Sequence, residues 1–296
     1  MDGFVNLDKP AGATSHDAVA MVRRALNRVK TGHTGTLDPD ATGVLPICIG
    51  KATRLAEYIT GLPKVYRGEL QFGITTASQD AAGEILEVKD ASHLTLEQIE
   101  ACLPTFCGEI WQIPPMVSAV KKDGKRLYQL ARQGQVVERE PRQVTIYRFD
   151  LLQFLPGEHP RAIFEIQCSR GTYIRTLFHD LGQTLGCGGH LTTLRRLQVG
   201  PFNVDEAITI EQLRERVAVA DFSFLQPMVL GVAHLPELIL PENLQRKALH
   251  GMLLPEISLP NEAGPIFRVM TPKGELLGIG SFGVGGLHLD KVLVTR

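Results

Sequence analysis

Apolar residues recur along this chain with two periods, and the alternation of the two sets its organisation. "GFVNLDKP" reads as a short strand ending in a turn. "HDAVAMVRRALN" follows with apolar residues at helical spacing, Ser15 being the expected N-cap. "VLPICIG" has the continuous apolar character of a buried strand, and "KATRLAEYI" predicts a short helix. "KVYRGELQFG" predicts a strand carrying Val65, Leu70 and Phe72 at alternating positions. "TTASQDAAGEIL" is polar and turn-rich, "TLEQIEACL" is an amphipathic helix with Glu97 near its start, and "PPMVSAVKKDGKRLYQLARQG" predicts strand, Asp-Gly hairpin and helix. Strands near 143–154 and 161–168 precede a helix from about Thr172 to Leu185, bounded by Gly171 and Gly186. Strands and helices mix without the strict alternation of a doubly wound parallel sheet, which predicts an α+β fold. After Leu235 the pattern changes to one short helix, "ENLQRKALHG", and glycine-punctuated runs, "PIFRVMT", "LLGIGSF" and "LHLDKVLVT". These predict a small β-barrel module, dividing the chain into 1–232 and 233–296.

The chain has 296 residues, 44% of them hydrophobic, enough for one large core and a smaller one. "MDGFVNLDKP" lacks the basic-then-apolar order of a signal peptide. The longest charge-free run, "FSFLQPMVLGVAHLP", carries two prolines and is too short to span a bilayer, so a cytoplasmic protein without a membrane partner is expected. Cys48, Cys102, Cys107, Cys168 and Cys187 are odd in number and never in a C-x-x-C pair, which predicts buried thiols rather than disulfides or structural zinc. The net charge is −1, but its distribution is uneven. Ser118 to Arg148 holds eight basic residues against three acids, and Arg23, Arg24, Arg28 and Lys30 stand without an acid between Ala18 and Thr36. Glu69 to Glu109 holds eight acids and only Lys89. That segregation predicts a positive face suited to a polyphosphate and a negative face turned away from it.

The loop "GHTGTLDPDATGVLP", residues 32–46, concentrates the candidate chemistry. It fails as a nucleotide-binding P-loop, because Gly50-Lys51 is followed by Ala52 and preceded, five residues back, by Leu45. It fails as a calcium loop, because position twelve is Ile49 where a glutamate is required. No spaced His/Asp/Glu set completes a metal site around His33 and Asp38, so no metal is expected. What remains is an aspartate, Asp38, stiffened by Pro39 between a helix and a strand; by itself such a residue also serves as a simple turn-former.

Five stretches together resemble one family, the TruB-type tRNA pseudouridine synthases. They are "GFVNLDKPAGATSHD", "GHTGTLDPDATGVLPICIGKATR", "KVYRGELQFGITTASQD", "PPMVSAVKKDGKRLYQLARQG" and "CSRGTYIRTLFHDLGQTLGCGGHLTTLRRLQVG", in the family's order. The final segment is similar, more weakly, to a PUA-type RNA-binding module. The resemblance implies a pseudouridine-synthase catalytic domain with a mixed, largely antiparallel sheet flanked by helices, plus a small C-terminal PUA-like β-barrel. It implies that Asp38 is the catalytic carboxylate, that Tyr66 packs on the target uracil and that Arg175 pairs with Asp38. Tyr173 and Leu194 would line the same pocket, and His33 would fill the place the base leaves. Lys121, Lys122 and Arg126 would lie in an RNA-clamping insertion at about 114–145. Where many members have tyrosine in a "PPMYSA"-like stretch, this chain has Val117, which bears on a pocket wall.

The implied reaction converts the uridine at position 55 of the tRNA T-loop to pseudouridine, so the implied partner is the tRNA T stem-loop. Breaking the C–N glycosidic bond, turning the uracil and making a C–C bond changes no atom count, so no cofactor is expected. A carboxylate can start it by attack at C1′ or C6 or by removing the C2′ proton. A guanidinium beside it favours the charged form that burial opposes. An aromatic face such as Tyr66 holds the detached base without fixing its orientation. A stand-alone, monomeric enzyme without a protein partner is expected. The alternatives are a guide-RNA-dependent subunit, against which stand the full insertion and the lack of a lysine-rich tail, and a non-catalytic RNA-folding factor.

Overall fold

The computed structural model describes residues 1–118, 120–122, 124–131, 133–135, 137–255, 257 and 266–294. The side chains of Lys121, Lys122, Lys125, Arg126, Tyr128 and Ala131 lie outside the described part.

A ten-stranded sheet forms the frame. Its path runs Leu225–Gln226, Gly3–Lys9, Thr42–Ile49, Gly189–Val199, Lys64–Phe72, Arg161–Cys168, Arg142–Leu155 and Gly108–Gln112, with Thr31–His33 and Phe202–Asn203 paired off the path. Every pairing is antiparallel except one: Gly189–Val199 runs parallel to Thr42–Ile49. Gly43 sits at that junction with φ +100, and a Cβ there would stand 2.2 Å from the Arg196 carbonyl oxygen. Only glycine tolerates both the left-handed backbone and the close approach.

Side chains alternate across the sheet as a period of two requires. Val5, Leu7, Leu45, Ile47 and Ile49 enter the core that also receives the helix Ile174–Thr184, whose Phe178 ring lies 5.4 Å from that of Phe164. Phe4, Val44 and Cys48 point the other way and pack with Met270, Leu276, Ile279 and Leu293 of the C-terminal sheet. The two parts of the chain therefore share a core. Burying each such large apolar side chain contributes roughly 1.5–3 kcal/mol. A polar seam accompanies it, in which Arg54 donates to the Val292 carbonyl at 2.5 Å and Lys291 donates to the Arg54 carbonyl, pairs with Glu57 and covers the Tyr58 ring.

Several expectations are corrected in detail. The N-cap of the first helix, Ser15–Ala25, is Thr14, which forms a capping box with Asp17; Ser15 turns inward instead. In Lys64–Phe72 the even-numbered residues are buried, so Leu70 and Phe72 face inward while Val65 faces the other side. The C-terminal strands Glu237–Ile239, Ile266–Met270, Leu276–Gly283 and Gly286–Val292 form a four-stranded sheet that does not close into a barrel among the described residues. Cys48, Cys168 and Cys187 are buried, but Cys102 is half-buried and Cys107 exposed. Among the described residues no helix is long and apolar enough to cross a membrane.

Candidate active site

Asp38 is placed by a loop that other parts of the chain hold by its carbonyl oxygens. Lys9, fully buried at the end of the first strand, donates to the carbonyls of Pro10, Ala13 and Pro39 at 2.6–2.8 Å. Ser15 Oγ accepts from Leu37 N at 2.8 Å and donates to its carbonyl at 3.1 Å. From the other side Arg196, 1% exposed, donates through Nε to Val44, through Nη2 to Gly35 and through Nη1 to Thr36. Three buried donors thus brace the loop before and after Asp38.

Arg175 then fixes the carboxylate. It lies in the first turn of Ile174–Thr184, preceded by Tyr173, whose backbone is held by both amide atoms of buried Gln112. Its Nε lies 3.0 Å from Asp38 Oδ2 and its Nη2 donates to Oδ1 at 3.4 Å. Nη2 also donates to the Val117 carbonyl at 2.8 Å, and Nη1 to the Ser78 carbonyl and to Asp80 Oδ2. Asp80 is itself aimed by Ser78 Oγ and by Ala82 N. A planar fork whose donors are all engaged has one orientation.

The Asp38–Arg175 pair divides two chambers. One, of about 280 Å³, is lined by Tyr66, Tyr173, Leu194, Lys64, Ser118 and Arg196. The other, of about 530 Å³, lies towards Asp40, Asp80 and Val117. Tyr66 is 8% exposed, and burial pushes its pKa up against the lowering pull of Arg196 beside its hydroxyl, so it presents a neutral ring. Ser118 Oγ is buried in the same chamber without a hydrogen-bond partner among the described residues. Asp38 keeps 44% of its side-chain surface open to the cleft, yet crowding by the walls desolvates it and raises its pKa, against the lowering pull of Arg175. Burial holds Lys64 down to about 8, where its ammonium donates to the carbonyls of Thr60 and Leu62.

A carboxylate, a buried cation, an aromatic wall and a nucleobase-sized chamber suit chemistry on a flat heterocycle, and likeness to known proteins names it. The description "TruB family pseudouridylate synthase (N terminal domain)" matches residues 23–174. The chain belongs to the TruB family of pseudouridylate synthases. "tRNA pseudouridylate synthase B C-terminal domain" matches residues 175–255 of this TruB member. The tRNA pseudouridine synthase B of Stutzerimonas stutzeri is 47% identical over 99% of this chain and 96% of its own. That of Symbiobacterium thermophilum is 51% identical over 85% and 83%. Among solved structures, a Cbf5-Nop10-Gar1 complex gives a TM-score of 0.77 at 29% identity, over 99% of this chain and 85% of that one. An H/ACA ribonucleoprotein bound to a substrate RNA containing 2′-deoxyuridine gives 0.75 at 27%, over 99% and 86%. The TruB chain is thus an isomerase of the pseudouridine synthase fold.

Of the residues that the TruB resemblance singled out, Asp38, Tyr66, Arg175, Tyr173 and Leu194 meet around one chamber. His33 stands outside both chambers, edge-on to His16 with ring centroids 5.5 Å apart, its Nδ1 accepting from Gly35 N. Burial lowers its pKa, with His16 adding to the shift. Lys121 and Lys122 pair with Lys125 and Arg126 as a two-stranded hairpin, and the basic side chains called there, Lys121, Lys122 and Arg126, lie outside the described residues. At the departure noted above, it is the Val117 backbone that meets Arg175, so tyrosine or valine leaves that bond in place. Sequence reading missed Asp80, Arg196, Lys9 and Ser118. The signal available for Asp80 was an acid closing the quoted "TTASQD", and for Arg196 an arginine between the leucines of "LTTLRRL"; neither shows its partner in one dimension.

Proposed function

We propose that this enzyme isomerises the uridine at position 55 in the T-loop of tRNA to pseudouridine, acting alone in the cytoplasm as a monomer. The observation that carries the reading is the Asp38 carboxylate, fixed by Arg175 at 3.0 Å on the floor of a chamber walled by Tyr66. The relatives' name, tRNA pseudouridine synthase B, supports tRNA as substrate. Their 47% identity over nearly the whole chain favours a stand-alone enzyme over a guide-dependent subunit, to which the likeness is 27–29%. In this reading residues 1–232 are the catalytic domain, 114–145 the RNA clamp and 233–296 an RNA-binding domain.

The target uridine leaves its stack, at a cost of a few kcal/mol, and enters between Tyr66, Tyr173 and Leu194. His33, kept neutral by burial, fills the gap it leaves. Asp38 starts cleavage of the N1–C1′ bond. The freed uracil turns against Tyr66, whose ring has no preferred orientation for it. C5 then joins C1′; C5 gives up its proton and N1 gains one, so the atoms balance without a cofactor. Exposed Arg23, Arg24, Arg28 and Lys30, with the basic insertion, supply phosphate contacts.

The test is pseudouridine mapping in an unmodified tRNA transcript incubated with the purified protein. Product confined to the T-loop, and lost in Asp38→Asn while tRNA binding persists, is expected. Loss of binding in Asp38→Asn would make Asp38 a loop-supporting residue, and tight binding without any product from the wild-type protein would point to a missing guide or a folding factor.

A further inference from the structure

The outer edge of the first strand, Gly3–Lys9, is covered by two different segments that part beside Asn6. Phe4 and Val5 pair antiparallel with Gln226 and Leu225, whereas Leu7 bridges Ile208 in parallel. Ile208 N donates to the Asn6 carbonyl and Asp8 N to the Ile208 carbonyl, both at 2.9 Å. Where the two segments part, a crevice of about 440 Å³ remains. It is larger than the 280 Å³ chamber assigned to the uridine and shares no lining residue with either chamber of the cleft. Lys9, which braces the Asp38 loop, lies three residues further along the strand, about 10 Å away at the usual rise.

Acceptors gather in this crevice. Asn6 is 2% exposed, and its Nδ2 donates to the Asn203 carbonyl at 2.7 Å, which fixes the amide and turns Oδ1 into an acceptor. Asn6 Oδ1 and Gln226 Oε1 are both buried without a hydrogen-bond partner among the described residues. Exposed Asp205 and Glu206 line the same crevice, and their carboxylates make no hydrogen bond or ion pair among the described residues. The lining has one basic residue, Arg216, which donates to Ser223 Oγ at 3.4 Å and stands beside Asp221. Ile208 and Phe224, both buried, supply apolar wall. Buried polar atoms are nearly always paired, so the two amide oxygens call for a donor.

We propose that this crevice binds an aliphatic diamine or polyamine. Its leading ammonium enters between Asn6 and Gln226, its methylene chain lies along Ile208 and Phe224, and a second ammonium meets Asp205 and Glu206 at the mouth. An ammonium carries three donors and no acceptor, which matches a floor of amide oxygens and a mouth of carboxylates. Hydrogen bonds from such a charged donor are the strong ones. A bare metal ion fits less well. Hard cations take six or more oxygens, and among the described residues no three acidic, histidine or cysteine side chains converge to hold one. Nothing in this crevice depends on the reaction at Asp38.

The test is calorimetric titration of the full-length, RNA-free protein with 1,4-diaminobutane at an ionic strength of about 0.15 M, with the Asn6 and Gln226 side-chain amide signals followed by NMR. Saturable binding with a Kd of about 1 mM or tighter, accompanied by movement of those two signals, is expected. Asn6→Leu removes the acceptor on the floor. Asp205→Asn together with Glu206→Gln removes the charges at the mouth, and because both residues are exposed this variant keeps the test open should Asn6→Leu fail to fold. Each should weaken binding about tenfold or more, the weight of one hydrogen bond to a charged group. Butan-1-ol, which lacks the charge, and tetramethylammonium, which lacks the donors, should not compete. Absence of saturation by about 10 mM, or amide signals that stay in place, overturns the proposal. So does equal affinity in wild type and both variants, which marks diffuse attraction to an acidic surface, and so does displacement of the diamine by stoichiometric magnesium, which marks a metal site.

Discussion

Replacing Arg196 by lysine tests how the Asp38 loop is held. Arg196 is buried, and its three nitrogens reach three carbonyls that point in different directions, those of Val44, Gly35 and Thr36 at 2.7, 3.2 and 3.4 Å. Lysine keeps the charge but concentrates its donors on one atom, so at least one carbonyl, and at most two, lose their partner. A buried acceptor left unpaired costs about 1–3 kcal/mol, which places the loss near 3 kcal/mol, a large share of a typical stability of about 5–15 kcal/mol. The rate should suffer more. Gly35 and Thr36 lie three and two residues before Asp38, and a displacement of the carboxylate by about 1 Å is enough to cost roughly a hundredfold. Urea unfolding measures the first effect. Release of tritium from C5-labelled uridine in the RNA measures the second, because C5 exchanges hydrogen for carbon in the product. An Arg196→Lys enzyme within about 0.5 kcal/mol of wild-type stability and with undiminished kcat would refute the idea that this guanidinium positions the loop.

Asp80→Asn should leave RNA binding intact and lower kcat roughly tenfold or more, since it frees one edge of the Arg175 fork that aligns Asp38; single-turnover kinetics separate the two effects. In the proposed mechanism activity requires the charged Asp38, whose pKa burial raises, so kcat should fall as pH drops through a value above the ordinary aspartate pKa of about 3.9. In Arg175→Gln that acid limb should move to still higher pH, and a pH–rate profile with an unmoved limb would remove Arg175 from the electrostatics. Burial also lowers Lys9 to about 8, against about 10.4 in an unfolded chain. Between those values the unfolded chain holds more protons, so Lys9 makes stability rise with pH. The buried thiols, Cys48 at about 12 and Cys168 at about 11, act in the opposite direction. The measurable quantity is therefore the stability difference between wild type and Lys9→Met, which should grow in favour of wild type from pH 8 to 10.

The residues proposed to do the chemistry were legible because their types are tied to local pattern. Asp38 followed by proline in a glycine-rich loop, tyrosine in "KVYRG" and arginine in "GTYIR" each sit where an element begins or ends, and the family resemblance rests on the same stretches. The residues that hold them were not. Asp80 lies 95 positions from Arg175, Arg196 lies 152 from Val44 and Lys9 lies 30 from Pro39, and each acts through a contact that no periodicity encodes. The strand Gly189–Val199 carries Leu194 and Arg196 and makes the sheet's one parallel pairing, but its interior charges hide its alternation.

Sequence alone determined many of the elements, their order and the candidate carboxylate, though not the strand Gly189–Val199 or the helix Ile210–Ala218, because helical and strand periods and turn chemistry act over a few neighbouring residues. Val65 shows the limit: alternation sets which residues share a face, and only the packed sheet decides which face is inside. The open C-terminal sheet shows it again, since closure depends on pairing between distant strands. Tertiary structure alone decided that five donors of one buried arginine would be spent on Asp38, Asp80, Ser78 and Val117, because a site assembled by long-range contact exists only once the chain has folded.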